Sequence, residues 1–384
     1  MPRPVRRRLI LAAGAAGAAA VGLARAQASV SSPAGAPPGP QAGKADDAAG
    51  HWPPVRPGRP LAFPRDHGAH PAYRTEWWYL TGWLEGPDAE TLGMQITFFR
   101  SRTRHDAGNP SRFAPTQLLF AHAALASPAR GRLAHAERAA RPGFGLAGFS
   151  ETDLDVSIGN WRLNREPDDR IVARIDDAAL ALALDFVPPG PPVPQGEAGF
   201  SRKGPDPAQA SWYYSRPQLA VSGAIGGPDG KPTRPVRGIA WLDHEWSSEI
   251  LDPRAAGWDW VGLNLEDGSA LMAFRIRHRD GGVLWSDAKW IDAERSDRAA
   301  GDPVFTPLRE WRSPRTGARW PVAMRLALGG RTLELEPLLD DQEIDATAST
   351  GTVYWEGAVR VLEGGQPVGR GYLELTGYAG ELRL

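Results

Sequence analysis

Asp243, His244, Glu245 and Trp246 put two carboxylates, an imidazole and an indole in four consecutive positions. On a β-strand, successive side chains point to opposite faces, so Asp243 and Glu245 alternate with His244 and Trp246. Carboxylates beside an imidazole can move protons in general acid–base chemistry. They could also ligate a metal, but His244-Glu245-Trp246-Ser247-Ser248 lacks the second histidine of H-E-x-x-H. No metal is expected, and His67 and His70, ahead of the first strand, are expected at the surface. The nearest glycine-flanked serines, Ser201 and Ser222, lack the G-x-S-x-G pattern of a nucleophile elbow, and no phosphate-binding G-x-x-x-x-G-K-[ST] occurs. No cofactor is indicated.

A second constellation lies in "RTEWWYLTGWL", residues 74–84, where one carboxylate, Glu76, accompanies three tryptophans and a tyrosine. Period-two geometry places Glu76, Trp78 and Leu80 on one face and Trp77, Tyr79, Thr81 and Trp83 on the other. Both faces are largely apolar, which suits a packed core strand or the wall of a cavity holding an apolar guest. Glu76 favours the cavity, because a carboxylate there is costly to bury unless paired or neutral. In "LLFAHAALA" (118–126), His122 sits among apolar neighbours, as either a core histidine or a cavity residue. The small alanines around it leave room inside a barrel. Glu76, Trp78, Tyr79, His122, Trp258 and Trp260 are the candidate ligand-contacting residues; His244, Trp246, Asp243 and Glu245 are the candidate catalytic set.

The elements that must position these residues read as strands. No 3.6-residue stripe stands out, whereas short runs rich in aromatic and β-branched residues recur between Gly, Pro, Asp and Asn clusters, among them 75–84, 92–101, 117–126, 237–243, 258–265, 269–276, 353–361 and 370–376. The expected fold is all-β, with turns such as "EDGS" and "LGGR" joining antiparallel neighbours. Residues 187–215 form a long proline-rich loop, which either caps the structure or is a disordered insertion; Trp212, Tyr213 and Tyr214 at its end favour docking.

The chain has 384 residues and a formal net charge of -1. Its first 26 residues carry five arginines and no acid, so the remainder is mildly acidic and gives no field to attract nucleic acid or anionic membrane. Residues 1–26 read as an export signal: a basic start, an apolar run and Ala24-Arg25-Ala26. Arg6-Arg7-Arg8 also permits the twin-arginine route. The expectation is a periplasmic or secreted, monomeric protein, peripheral to a membrane at most. Without cysteine it has neither disulfides nor a thiol nucleophile. Residues 27–60 are Ala/Gly/Pro-rich and read as a tether. Two domains are expected, 61–250 and 251–384.

Taken together, "YRTEWWYLTGWL", "FAHAAL", "LDHEWSS", "GWDWVGLNLEDG" and "YWEGAVRV…GRGYLELTGY" resemble the secreted AttH-like proteins, relatives of the carotenoid 1,2-hydratases, from about residue 63 to the C-terminus. The resemblance implies two lipocalin-like antiparallel β-barrels in tandem, one holding a hydrophobic, isoprenoid or lipid-like molecule. It leaves open a role beside an ABC transporter system. It also implies an alternative, addition of water to a C=C bond by His244, Trp246 and a nearby carboxylate, with Asp259 a further candidate acid. The hydratases carry a His-x-Trp pair, matched by His244 and Trp246, and a Tyr-x-Asp pair on a following strand. The nearest counterpart of the second pair is Phe274-Arg275-Ile276, with neither phenol nor carboxylate. Glu374 in "GYLELTGY" reads as structural.

Overall fold

A computed structural model describes residues 52–105, 108–111, 113–226 and 233–380, so the leader and most of the tether lie outside the described residues. Antiparallel strands dominate. Those from Thr75–Glu85 to Arg234–Glu249 form a 13-stranded sheet, and those from Ala255–Leu265 to Gln366–Leu375 form a ten-stranded sheet. The path through the first sheet begins at Arg132–Ala140 and ends at Ala147–Phe149, two strands that follow one another in sequence. The sheet therefore curls round its own core. Arg138 seams the two ends, donating to Ile158 O at 3.2 Å and Asp176 O at 2.9 Å while lying over the Trp161 ring.

Alternation explains how each sheet sorts its side chains. Trp78, Leu80 and Leu84 point inward with Met94, Ile96, Phe98, Ala121, Ala123 and Leu242 to form the core of the first sheet. Their intervening neighbours Tyr79, Trp83 and Trp241 point the other way and meet Trp260, Met272, Phe274, Ile276 and Tyr372 of the second sheet. The second sheet packs its opposite face round Val261, Leu263, Trp320, Trp355 and Leu373. Each of these large side chains contributes roughly 1.5–3 kcal/mol by leaving water. The tryptophan-rich strand is thus buried on both faces for two reasons, a core on one side and a partner sheet on the other.

The two sheets are held face to face by specific contacts. Trp83 Nε1 donates to Gly371 O at 2.9 Å, Gln218 N donates to Asn264 Oδ1 at 2.8 Å, and Arg370 pairs with Glu85 at 2.8 Å. Gly93 lies at a close approach of the two sheets: a Cβ there would stand 2.6 Å from the Ala358 methyl carbon. Any larger residue would wedge the sheets apart.

Residues 187–215 are ordered. Val193–Pro194 and Phe200–Arg202 pair with the long strand Ala210–Gly226, and Trp212, Tyr213 and Tyr214 are buried. Pairing along the whole of Ala210–Gly226 fixes a segment whose proline content hid its strand character. The strand Arg132–Ala140, "RLAHAERAA", has no sequence signal of β-structure either, because its Ala, Arg and Glu favour helices. Its place at the start of the sheet, against Gln117–Ser127, overrides that preference.

Candidate functional site

A cavity of about 340 Å³ lies between the two sheets, not inside the barrel-like one. The barrel interior is filled by its own core, and Ala121 and Ala123, which suggested room there, belong to that core. Strand register builds the cavity walls. Across the first sheet, His122 pairs with Thr97, Thr97 with Tyr79, Tyr79 with Asp243 and Asp243 with Ser215. Across the second, Phe274 pairs with Trp260, Trp260 with Glu374 and Glu374 with Glu356. The two rows face each other, and the Tyr79 hydroxyl donates to Glu356 Oε2 across the gap.

Alternation divides the candidate residues between two places. Asp243, Glu245, Tyr79, His122, Trp258 and Trp260 line the cavity. His244, Trp246, Glu76 and Trp78 point away from it into a second, fully buried polar cluster. Asp259 also faces away from the cavity, held by Arg275 at 2.6 Å and Arg277 at 3.1 Å. Phe274 and Ile276 contribute apolar surface to the wall, while Arg275 between them turns to Asp259. Among the wall residues that sequence reasoning left out of the site are Trp77, Lys203, Tyr354, Glu356 and Glu374. Extending the alternation rule to Tyr354 and Glu356 in "YWEG" would have placed them on one face.

The wall combines aromatic faces with carboxyls. Asp243 accepts from Tyr213 Oη at 2.7 Å, Ser215 Oγ at 2.5 Å and Trp241 Nε1 at 2.7 Å. Despite those three donors, burial pushes its carboxyl up to about 7. Burial likewise pushes Glu374 up to about 8, helped by the carboxylates of Glu245, Asp243 and Asp259. Glu356 is raised well above the usual carboxyl range by burial and by Glu374 beside it. Glu245 pairs with Lys203 at 3.0 Å, and the lysine lies 4.2 Å from the Phe274 ring centre. At neutral pH this end of the cavity holds protonated acids next to charged ones.

The second cluster centres on Glu76, which has no solvent exposure. Arg100 Nε donates to Glu76 Oε2 at 2.7 Å, the His70 backbone amide donates at 2.9 Å, and His70 Nδ1 and His244 Nε2 lie 2.8 and 3.0 Å from Oε1. His70 stacks on Trp246 at 3.6 Å, and His244 on Trp78 at 4.8 Å. Arg100 and His70 hold Glu76 well below its usual range against the opposing effect of burial. Burial pushes His244 down, although Glu76 pulls the other way.

Histidines 67 and 70, expected at the surface, are buried here. Residues 62–70 fold over the Glu76 end of the strand through the short helix Arg65–His67, and an irregular segment of this kind has no periodicity to read. His70, Glu76 and His244 also form the carboxylate–histidine cluster that sequence spacing did not reveal, their donor atoms lying within 4.8 Å of one another. As metal ligands they fit poorly. Both imidazoles hydrogen-bond to the same carboxylate oxygen, and the Arg100 guanidinium already supplies the cation on the other. The Glu76 carboxylate is fully satisfied by these donors, which tie residues 70, 76 and 100 to the strand that carries Asp243 and Glu245.

The fold and this inter-sheet site define a two-sheet, lipocalin-like, all-β protein. The chain belongs to the AttH-like family, whose model matches residues 54–378. It is similar to the crystal structure of a protein described as AttH from Nitrosomonas europaea, at 50% identity and a TM-score of 0.79, covering 85% of this chain and 100% of that one. It shares its fold with kievitone hydratase from Nectria haematococca, at 14% identity and a TM-score of 0.64, covering 86% and 97% of the two chains. No curated protein matches the sequence.

Proposed function

We propose that this protein binds a terpene-sized apolar molecule between its two sheets. The observation that carries the reading is the cavity itself, whose volume of about 340 Å³ falls in the range of small-molecule sites and whose walls are aromatic with a few polar groups. Trp258 and Trp260 offer stacking surface on the second sheet and Trp77 on the first. Trp260→Ala is expected to weaken binding of a probe such as geraniol about 10- to 100-fold, the equivalent of roughly 1.5–3 kcal/mol of lost apolar contact. Trp246→Ala, in the polar cluster, should change affinity far less in the folded protein. Titration of tryptophan fluorescence measures both; equal affinities for the wild type and Trp260→Ala would refute the site. The leader supports export, and a mature chain beginning at Gln27 checks that part of the proposal.

A second reading, hydration of a C=C bond, draws support from the acids. Glu374, pushed up to about 8, carries a proton at neutral pH beside aromatic faces. It can protonate an alkene carbon, Trp258 and Trp260 can stabilise the resulting cation, and water adds to the other carbon as a carboxylate takes its proton. Carotenoid hydration in particular lacks support, since Phe274 and Ile276 stand where those hydratases have their phenol and carboxylate. The acid of this reading stands two strands away in the same sheet, on Gln366–Leu375. On this reading Glu374→Gln lowers turnover of an alkene substrate by about 10²–10⁴-fold. Unchanged turnover would exclude Glu374 as the acid.

A further inference from the structure

We infer that the cavity selects a ligand bearing a positive charge on an apolar body, an alkyl- or arylammonium, over its neutral and anionic counterparts. The inference rests on the reading of the cavity as a binding site and adds the charge of what it binds.

Acids outnumber uncommitted bases in the wall. Four carboxyls reach the cavity: Asp243 and Glu245 from the first sheet, Glu356 and Glu374 from the second. The basic side chains beside them are committed. Lys203 is paired with Glu245 at 3.0 Å, and Arg100 is paired with Glu76 at 2.7 Å on the far side of the strand. Arg74, also in the wall, lies over the Trp52 ring at 5.1 Å. The donors on Asp243 and Glu356 are neutral: Tyr213, Ser215 and Trp241 on the first, Tyr79 on the second. Among the described residues, no ion pair neutralises Asp243, Glu356 or Glu374.

Strand register concentrates these acids. Glu356 and Glu374 are direct cross-strand neighbours, a like-charged placement that destabilises a sheet unless something separates the charges. A proton does so in the empty protein, and a ligand cation would do so more strongly because it reaches several carboxylates at once. Trp260 is the next residue in the same row, so a cation beside Glu374 also meets an aromatic face. A carboxylate or phosphate head would find a hydroxyl such as Ser248 Oγ in the wall, but Lys203 and Arg100 are already spent on protein acids. A fatty-acid-like ligand would add a further negative charge to a wall whose crowded acids already hold protons.

The test compares three probes on the full chain at physiological ionic strength: benzyltrimethylammonium, its uncharged isostere neopentylbenzene, and 4-phenylbutanoate, an anion of similar size. Affinity is read from tryptophan fluorescence. The ammonium is expected to bind at least about ten-fold tighter than the isostere, and the carboxylate weakest of all. Glu374→Gln and Glu356→Gln should each shrink the ammonium-to-isostere ratio; the wild-type comparison stands even if one variant folds poorly. An isostere that binds as tightly as the ammonium overturns the inference while leaving the apolar site in place. Failure of all three probes to bind overturns the site and the inference together.

Discussion

Glu76→Gln is expected to destabilise the protein by about 3–5 kcal/mol, the range for breaking a buried ion pair by removing one partner. The magnitude follows from what the substitution leaves behind. Arg100 and Glu76 both have no solvent exposure, and the glutamine amide cannot neutralise a guanidinium held at this distance. His70 Nδ1 and His244 Nε2 would lose the charge on the oxygen they share. Urea unfolding should show a lowered midpoint with an unchanged slope. Removing both charges, as Glu76→Leu with Arg100→Met, should recover part of the loss, because an apolar pair of similar volume carries no desolvation cost. A midpoint for Glu76→Gln equal to that of the wild type would contradict the structural role given to this cluster.

A second large effect concerns pH. Glu374 and Asp243 have folded-state values raised to about 8 and about 7, above ordinary values of 4.5 and 3.8. The folded protein therefore binds protons that the unfolded chain has released. Their stabilising contribution is complete below pH 4 and is lost as pH rises towards 7 and 8. Above pH 6.5, where histidines are mostly neutral in both states, the loss between pH 7 and 8.5 should be on the order of 1 kcal/mol. Glu374→Gln should flatten much of that decline, since the amide stays neutral throughout. Asp66 behaves oppositely: its carboxyl is lowered to about 2, so its contribution is present above pH 4 and lost as pH falls towards 2. Asp66 titrates below that window, whereas the buried His67 and His122, lowered to about 3, add stability as pH rises from 3 towards 6.5, so urea midpoints at pH 7 and 8.5 are the ones that report the cavity acids. A midpoint that does not change across that range would mean that these carboxyls are solvated like surface groups.

The cavity acids connect stability to function. A cluster of carboxyls that costs stability at neutral pH is the kind of feature that persists where a ligand or a reaction needs it. Aromatic walls alone would give a more stable interface between the sheets. The partner of Glu356 is Tyr79, on the strand Thr75–Glu85 of the first sheet, so a ligand in the cavity would act directly on a contact joining the two sheets.

Local information in the sequence determined much of this protein. Composition and short aromatic runs bounded by Gly, Pro, Asp and Asn marked an all-β chain, and the motifs carried the family. Alternation separated Glu76 and Trp78 from Trp77 and Tyr79, and Asp243 and Glu245 from His244 and Trp246, because a strand's period of two depends on nothing beyond the strand. What each face meets was not legible. Tyr79 and Glu356 are 277 positions apart, and His244 reaches Glu76 across 168. Such neighbours are set by cross-strand register and by the packing of one sheet on another, which no local pattern encodes. For the same reason the site divided: His244 and Trp246, adjacent in sequence to the cavity acids, face a structural cluster, whereas Glu374, which reads as structural in its own strand, faces the cavity. Parity told which residues stand together, and only the stacking of the two sheets decided which of the two faces holds the cavity.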